Sequence, residues 1–400
     1  MDSMNEKQKS LFNLPGKGKM LFFIFSLLLA GLFLTSQSPA AETILTPSVG
    51  IKAEYNDNID FSHGNERDDY ISTISPGLKL DYKTERTVFG AMAKVDVLNY
   101  LDYTDENTVN QNYGLNVSHK LFEKLGVRAG GSYIRDTTND SYLEETGLVT
   151  RKSTRNFYRG GAGLSYNLTE VSDMDLDYFH SQSDYDAEDK VDSTTDSVSL
   201  AYRHAFHERR DIVSIIPLYS RYDSDTSTTD NYGLTLGLMH RLQETLTMNV
   251  ALGVRYSDAE YHDLGTTDSN WDWTADISAT RSWETASASI GYGRNLYYDD
   301  QGTPVNVDRF YARANKNLTE RFGVSLTGSL YFSKSDDSVD TVDSRYYEVT
   351  PSLYYNFTRD HRLEVGYSYA NDDDKTLTDN REAERNRVWI LLTFNFPQTL

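Results

Sequence analysis

Cysteine is absent from all 400 residues, and proline is scarce at 8. The first absence excludes disulfides, thiol catalysis and a lipid attached to an N-terminal cysteine. Beyond the N-terminal forty residues there is no apolar run long enough to cross a membrane as a helix. Catalytic signatures are missing too. The 8 histidines are scattered without a His-Glu-x-x-His pattern. Gly130-Gly131 and Gly160-Gly161-Ala162-Gly163 have no helix pattern behind them, so they read as thin strand wall and not as phosphate cradles. No catalytic residue, cofactor or metal ligand set is therefore expected, and the chain reads as something other than an enzyme. Positive charge is in short supply, with 39 Lys and Arg against 60 Asp and Glu and a net charge of −21. That balance repels phosphate and excludes nucleic acid as a partner.

Aromatics, by contrast, are plentiful: 29 Tyr and 17 Phe, too many for a disordered chain despite a mean hydropathy of −0.58. Alternation reconciles the two. In Asn317–Phe332 the turn Thr319-Glu320-Arg321 is followed by Phe322, Val324, Leu326, Leu330 and Phe332 on one face, with Ser325, Thr327, Ser329 and Tyr331 on the other. A period of two describes a strand with one oily and one wet face. The unit recurs after Leu121–Leu125, Leu168–Val171, Phe206–Arg209, Leu242–Leu246, Trp283–Thr285 and Phe357–Asp360, each run ending in a longer polar loop. These segments predict about eighteen strands, with sixteen as the alternative count, and eight short turns alternating with nine longer loops. The fold class expected is all-β: a transmembrane antiparallel up-and-down β-barrel with short periplasmic turns and long extracellular loops. A soluble propeller also repeats every forty or so residues, but it does not alternate short and long connections or keep one strand face almost uncharged.

At the N-terminus Lys7, Lys9, Lys17 and Lys19 precede the apolar run Met20–Thr35 and the small residues Ser38-Pro39-Ala40-Ala41. This is the layout of a secretory signal, residues 1–40, cleaved between Ala40 and Ala41, ahead of one barrel domain over 41–400. The expected location is the outer membrane of a Gram-negative bacterium, with outer-membrane lipid and the barrel-insertion machinery as partners. Tyr55, Tyr70, Tyr133, Tyr256, Trp271, Trp283 and Tyr369 stand where strands meet loops, as interfacial girdles do.

The functional candidates are the residues on the wet face, which a barrel of this strand count cannot fill with side chains. The charged lumen-lining set is Lys52, Glu54, Lys79, Asp81, Lys94, Asp96, Arg128, Asp175, Asp177, Arg203, Arg255, Asp272, Asp276, Arg309, Arg313, Glu348, Glu364, Arg385 and Arg387. Such charges either pair along the wall or set ionic selectivity. The inward aromatics Phe179, Tyr311, Tyr331 and Tyr354 either pack the wall or stack on sugar rings. Acidic loops at Asp184–Asp189, Asp223–Asp225, Asp336–Asp343 and Asn371–Asp374 lack the spacing of a defined Ca²⁺ loop and read as solvated and repulsive.

Thr46-Pro-Ser-Val-Gly-Ile-Lys-Ala-Glu-Tyr-Asn-Asp-Asn-Ile59, Ile74-Ser-Pro-Gly-Leu-Lys-Leu80 and the close Arg385-Asn-Arg-Val-Trp-Ile-Leu-Leu-Thr-Phe-Asn-Phe396 resemble the β-barrel porin-2 family. These are outer-membrane barrels associated with exopolysaccharide export or exosortase-type gene clusters. The resemblance extends over the mature chain and rests on strand-and-turn patterns. It implies a conduit for a secreted polysaccharide, fed by a periplasmic polysaccharide export protein. A general or solute-selective porin and a non-transporting structural or surface-anchoring barrel are the alternatives. Barrels commonly end on an aromatic residue, whereas Pro397-Gln-Thr-Leu400 follow Phe396 here.

Overall fold

The structure of the protein, a computed structural model, describes residues 41–262, 265–335, 342–375 and 381–400, without the side chains of residues 138–140. The expected signal segment and Ala40, and most of the acidic loop Asp336–Asp343, lie outside the described residues; Ala41 is the first of them.

Alternation does organise the chain. Eighteen antiparallel strands of 13 to 17 residues follow one another, from β1 (Glu42–Asn56) and β2 (Asp69–Lys83) to β17 (His361–Asp374) and β18 (Arg381–Asn395). Each pairs with its neighbours in sequence, and β1 closes onto β18 with Ser48 opposite Asn395 and Asn56 opposite Arg387. Closure matters because lipid cannot hydrogen-bond a free sheet edge. The residues after Phe396 extend this closure. Beyond Pro397 the short β19 (Gln398–Thr399) pairs with Leu45 and Ile44.

One face of every strand is oily and exposed. Leu234, Leu236, Leu238, Leu252, Val254, Ile290, Leu326 and Ile390 are examples, and their exposure is what a lipid-facing surface requires. The strand Asp211–Ser224, apolar on both faces, takes its orientation from its partners: Ile215 lies opposite Leu236, outward, and Leu218 opposite Gly233, inward. Around the outer rim aromatic rings form a belt, Tyr55–Tyr70, Tyr113–Tyr133–Tyr158, Tyr219–Tyr232–Tyr256–Trp271 and Trp273–Tyr292–Phe310, with centroids 4.8 to 6.5 Å apart.

The short turns repeat a local device. Thr84 Oγ1 accepts from the Thr87 N–H at 2.9 Å, Thr319 Oγ1 from Phe322 at 2.9 Å and Thr358 Oγ1 from His361 at 3.1 Å. A hydroxyl that stands in for a backbone acceptor lets three or four residues reverse the chain. The turn His207-Glu208-Arg209 does so differently, with all three residues at positive φ (47°, 54° and 66°).

Several expected loops are strand. Asp223 belongs to a strand that ends at Ser224, Asn371–Asp374 closes β17, and the stretch Ser257–Ser269 is mostly the top of β11 (Leu246–Tyr261) and β12 (Thr266–Ser282). Above the bilayer both strand faces meet water. The oily-wet alternation fades there while the ladder continues.

One wall interface is short. Most strand pairs stay in register nearly from end to end, but β12 and β13 (Ala286–Tyr298) pair only from Ser282–Ser287 up to Ala275–Arg294. Above that point β12 keeps its ladder with β11, and β13 keeps its ladder with β14 (Pro304–Asn317). The top of β13 turns inward: the Tyr298 ring stacks on Tyr222 at 3.6 Å and 3°, and Asn231 Nδ2 donates to Tyr298 Oη at 3.0 Å.

Candidate functional site

Strand register puts all the sequence-predicted wet-face residues on one side of the wall, opposite the oily rows. Lys52 stands across from Thr73, Arg309 from Tyr331, Ser329 from Glu348 and Tyr354 from Glu364. Many of them neutralise each other. Lys52 contacts Glu54, Lys79 meets Asp81 at 2.7 Å and Lys94 meets Asp96 at 2.9 Å. Arg128 holds Asp175 at 3.0 Å and Asp177 at 2.5 Å, and Arg203 holds Asp175 at 2.6 Å. Arg387 holds Glu348 at 2.9 Å. Ion pairs within a strand and across one or two strands stiffen a polar wall and leave little net field.

Three of the predicted residues face inward without meeting open lumen, because other segments cover them. Arg385 is 2% exposed and its guanidinium lies 4.6 Å over the Phe61 ring. Tyr331 is 1% exposed, and Arg255 Nη2 donates to Asn306 Oδ1 at 3.1 Å. Burial changes their part from lining to seating.

What covers Tyr331 is the segment that follows β5 (Leu125–Thr137). It contains helix α1 (Thr138–Thr146) and returns at β6 (Thr154–Asn167). Its apolar residues Tyr142, Leu143 and Leu148 are buried together with Val305, Val307, Tyr331, Tyr346, Ala370 and Ala383, which stand on β14 to β18. Tyr331 Oη donates to the Glu144 carbonyl at 2.7 Å, and Ser333 Oγ to the Thr146 carbonyl at 2.8 Å. β5 and β15 (Phe322–Ser335) lie on opposite sides of an eighteen-strand ring, so the segment crosses the lumen as a strap. Gly147 ends the helix with φ 68°, and a Cβ there would lie 2.3 Å from Tyr331 Cβ. Glycine meets both demands at once: left-handed backbone and contact with a ring.

The far side of the strap is tied at two points. Lys190 Nζ donates to Asp300 Oδ2 at 2.8 Å, and Thr150 Oγ1 contacts the same oxygen. Lys152 Nζ meets Glu106 Oε2 at 2.7 Å, while Arg67 bonds Glu106 Oε1 at 2.7 Å and Asp60 Oδ1 at 2.7 Å. Three separate loops thereby share one charged knot. Burial works against charge on Glu106, but Lys152 and Arg67 outweigh it and hold this carboxyl below its ordinary range. Burial likewise opposes charge on Lys152, and the bond to Glu106 holds the ammonium above the usual lysine range.

Between strap and wall lies a cavity of about 690 Å³, lined among others by Glu144 and Glu145 of the strap and by Lys52, Arg309, Arg313 and Arg387 of the wall. The strap carboxylate Glu145 is met by Arg155 at 3.5 Å, and Lys52 and Arg387 have the acidic neighbours already named. Arg309 and Arg313 differ. Among the described residues neither meets a carboxylate; the Arg309 guanidinium instead lies over Tyr311 at 5.7 Å and Tyr331 at 5.2 Å. Stacking leaves the guanidinium edge available to an anion. Arg159, whose guanidinium lies 5.7 Å over Phe179, repeats the arrangement on β6. A second cavity of about 1030 Å³ lies against the Asp60–Arg67 loop, Glu106 and Thr150–Ser153.

Sequence reasoning found the wall but not the strap or the knot. Phe61, Tyr142, Leu143 and Leu148 were the available signal: apolar residues in stretches that otherwise read as polar loop. Among the described residues no group of three or more His, Asp or Glu is arranged to hold a metal ion.

The family described as "Outer membrane protein beta-barrel domain" matches residues 26–203. No curated protein matches the chain. Among solved structures, Pseudomonas aeruginosa OpdK with vanillate is similar over 89% of this chain and 99% of its own, at 9% identity and a TM-score of 0.50. A BenF-like porin from Pseudomonas fluorescens Pf-5 shares 13% identity over 90% of this chain and 99% of its own, with a TM-score of 0.49. Acinetobacter baumannii OccAB4 shares 12% over 89% and 98%, with a TM-score of 0.49. At such identities the likeness is one of fold. The oily outer face, the closed eighteen-strand ladder and the match over residues 26–203 together define the class: the chain is an outer-membrane β-barrel.

Proposed function

We propose that this barrel is a solute-selective diffusion channel for small polar molecules bearing an anionic group. The observation that carries the reading is the strap. It spans the lumen and leaves a cavity of about 690 Å³, the size of a site for a small molecule and not of a conduit for a polymer. Its acids Glu144 and Glu145 face a wall that presents Arg309 and Arg313, so a solute at this level meets opposite charges on its two sides. A transverse field of that kind favours charged or strongly dipolar solutes over apolar ones.

The resemblance to exopolysaccharide-associated barrels motivates the other reading, a polysaccharide conduit served by a periplasmic export protein. A fixed strap counts against it, because a polymer needs an unobstructed bore. Planar-bilayer recording and vesicle uptake separate the two. The channel reading expects steady conductance with anion preference and uptake that stops above small-oligosaccharide size. Passage of polysaccharide through the native protein, or a barrel without conductance, would overturn it.

A further inference from the structure

The interrupted wall between β12 and β13 has no part in passage along the barrel axis. Above Ala275–Arg294 the two strands no longer share a ladder, although both continue: β12 through Thr274 and Trp273 towards Thr266, β13 through Asn295 to Tyr298. Side chains fill the place of the missing backbone bonds. Arg294 Nη1 holds Asp308 Oδ2 at 2.5 Å, and its Nη2 holds Asp272 Oδ2 at 3.0 Å. By register Asp308 stands on the lipid-facing side of the wall and Asp272, opposite Arg255, on the inner side. The guanidinium therefore sits in the gap itself, bridging the two faces, with its Cζ 4.9 Å over the Trp273 ring. Outside, the gap is rimmed by Trp273, Tyr292 and Phe310 of the aromatic belt, which marks the level of the outer-leaflet interface. Inside, the Tyr311 ring covers Gly291, while Gly293, just below the gap, carries no side chain and stands opposite Arg309.

From these features we infer that the gap is a lateral portal joining the lumen to the outer leaflet, and that its passenger is an amphipathic anion with an acidic head and an apolar tail. A hydrogen-bonded ladder is not a door, because opening it in lipid strands a row of backbone groups. A gap closed by side chains is a door, because they exchange partners without stranding backbone. An incoming anionic head competes with Asp308 and Asp272 for Arg294, while Tyr298 on Tyr222 and Asn306 on Arg255 keep the tops of β13 and β14 against the inner wall. The head then has Arg309 as its next cationic partner across Gly293, while the tail stays among the rim aromatics and lipid. The portal rests on the broken ladder. Only the onward path of the head rests on the channel function proposed above.

The absence of native cysteine makes the test clean. Thr274→Cys with Asn295→Cys, joined by a short bis-maleimide, staples the gap without touching Arg294 or Arg309. Uptake of dodecyl sulfonate into proteoliposomes is compared with that of propyl sulfonate, which has the same head and almost no tail. The expected result is that both enter vesicles bearing the native protein and that, after stapling, dodecyl uptake falls to the protein-free rate while propyl uptake is unchanged. Unchanged dodecyl uptake after stapling, or native dodecyl uptake no faster than in protein-free vesicles, overturns the portal. Should neither sulfonate enter, the channel reading falls. Hydrogen exchange in lipid then decides the portal by itself: faster exchange over Trp271–Thr274 than over the paired Gly253–Tyr256 supports the open edge, and equal protection removes it.

Discussion

The two ends of this barrel are built to opposite rules. At the end with the long connections, three loops fold onto one another. Arg67, Glu106 and Lys152 form a charged knot, and α1 is seated on Tyr331 and Ser333. At the other end the chain reverses in two to four residues, in several turns held by a threonine hydroxyl. Both ends use the same alternating strands, so the difference lies in the connections. A short turn can only close a hairpin. A sixteen-residue connection (138–153) can carry its own apolar residues and bury them against a distant wall. On the channel function proposed above, selectivity is thereby confined to one end and can change without disturbing the ladder.

Replacing residues 138–153 by a short Gly-Ser turn is the strongest way to test this contrast. Single-channel conductance should rise several-fold while the barrel still assembles, read from unboiled-gel mobility. Unchanged conductance would mean that the strap does not narrow the path. Next in size is charge at the constriction. Arg309→Glu with Arg313→Glu should move the reversal potential in a salt gradient from anion towards cation preference, whereas Lys79→Glu, beside Asp81 near the short-turn end, should move it far less.

A third test addresses the strap's seat. Gly147→Ala forces a Cβ against Tyr331 at a left-handed position and should cost more than about 1 kcal/mol locally. Gly163→Ala meets the side chains of Asp177 and Arg128, which can shift, and should cost less. Gating noise in bilayer recordings should rise for the first and not for the second.

The smallest effect expected is that of acid. Because Glu106 is held below its unfolded value of about 4.3, its contribution is present above that pH and is lost as pH falls through the folded value. Lys152, held above its unfolded value of about 10.4, contributes fully below that pH and loses its contribution as pH rises through the folded value. The knot is therefore whole between these limits and worth about 1 kcal/mol. Glu106→Gln at neutral pH should reproduce the strap fluctuations of the native protein at low pH; identical traces at both pH values would exclude the knot as an anchor.

How much of this was legible beforehand follows from range. Phe322, Val324 and Leu326 announce a strand by spacing alone, because lipid on one face and water on the other act residue by residue. The eighteen strands were readable for that reason, and so was most of the alternation of short with long connections; only two residues separate Ser224 from Ser227, where a long loop was expected. Loop length above the bilayer was not: where Ser257–Ser269 meets water on both sides, the sequence loses its rhythm although the strands run on. The strap's destination was hidden because Tyr142 and Leu143 meet partners nearly two hundred residues away. The broken ladder was hidden because backbone pairing leaves no mark on composition. Ion pairing of the wall, such as Arg128 with Asp175 and Asp177, was foreseeable as an option but not as particular partners.

Closure through β1 and β18 has a consequence for how such a molecule comes into being. Ser48 finds one partner nearby in Gly77 and the other in Asn395, so one edge of the first strand waits for a strand made last. Throughout that interval both flanks of the growing sheet are adhesive, and non-local pairing of this kind is slow. The ring can therefore be closed only after synthesis has passed Asn395, however early the hairpins in between have formed.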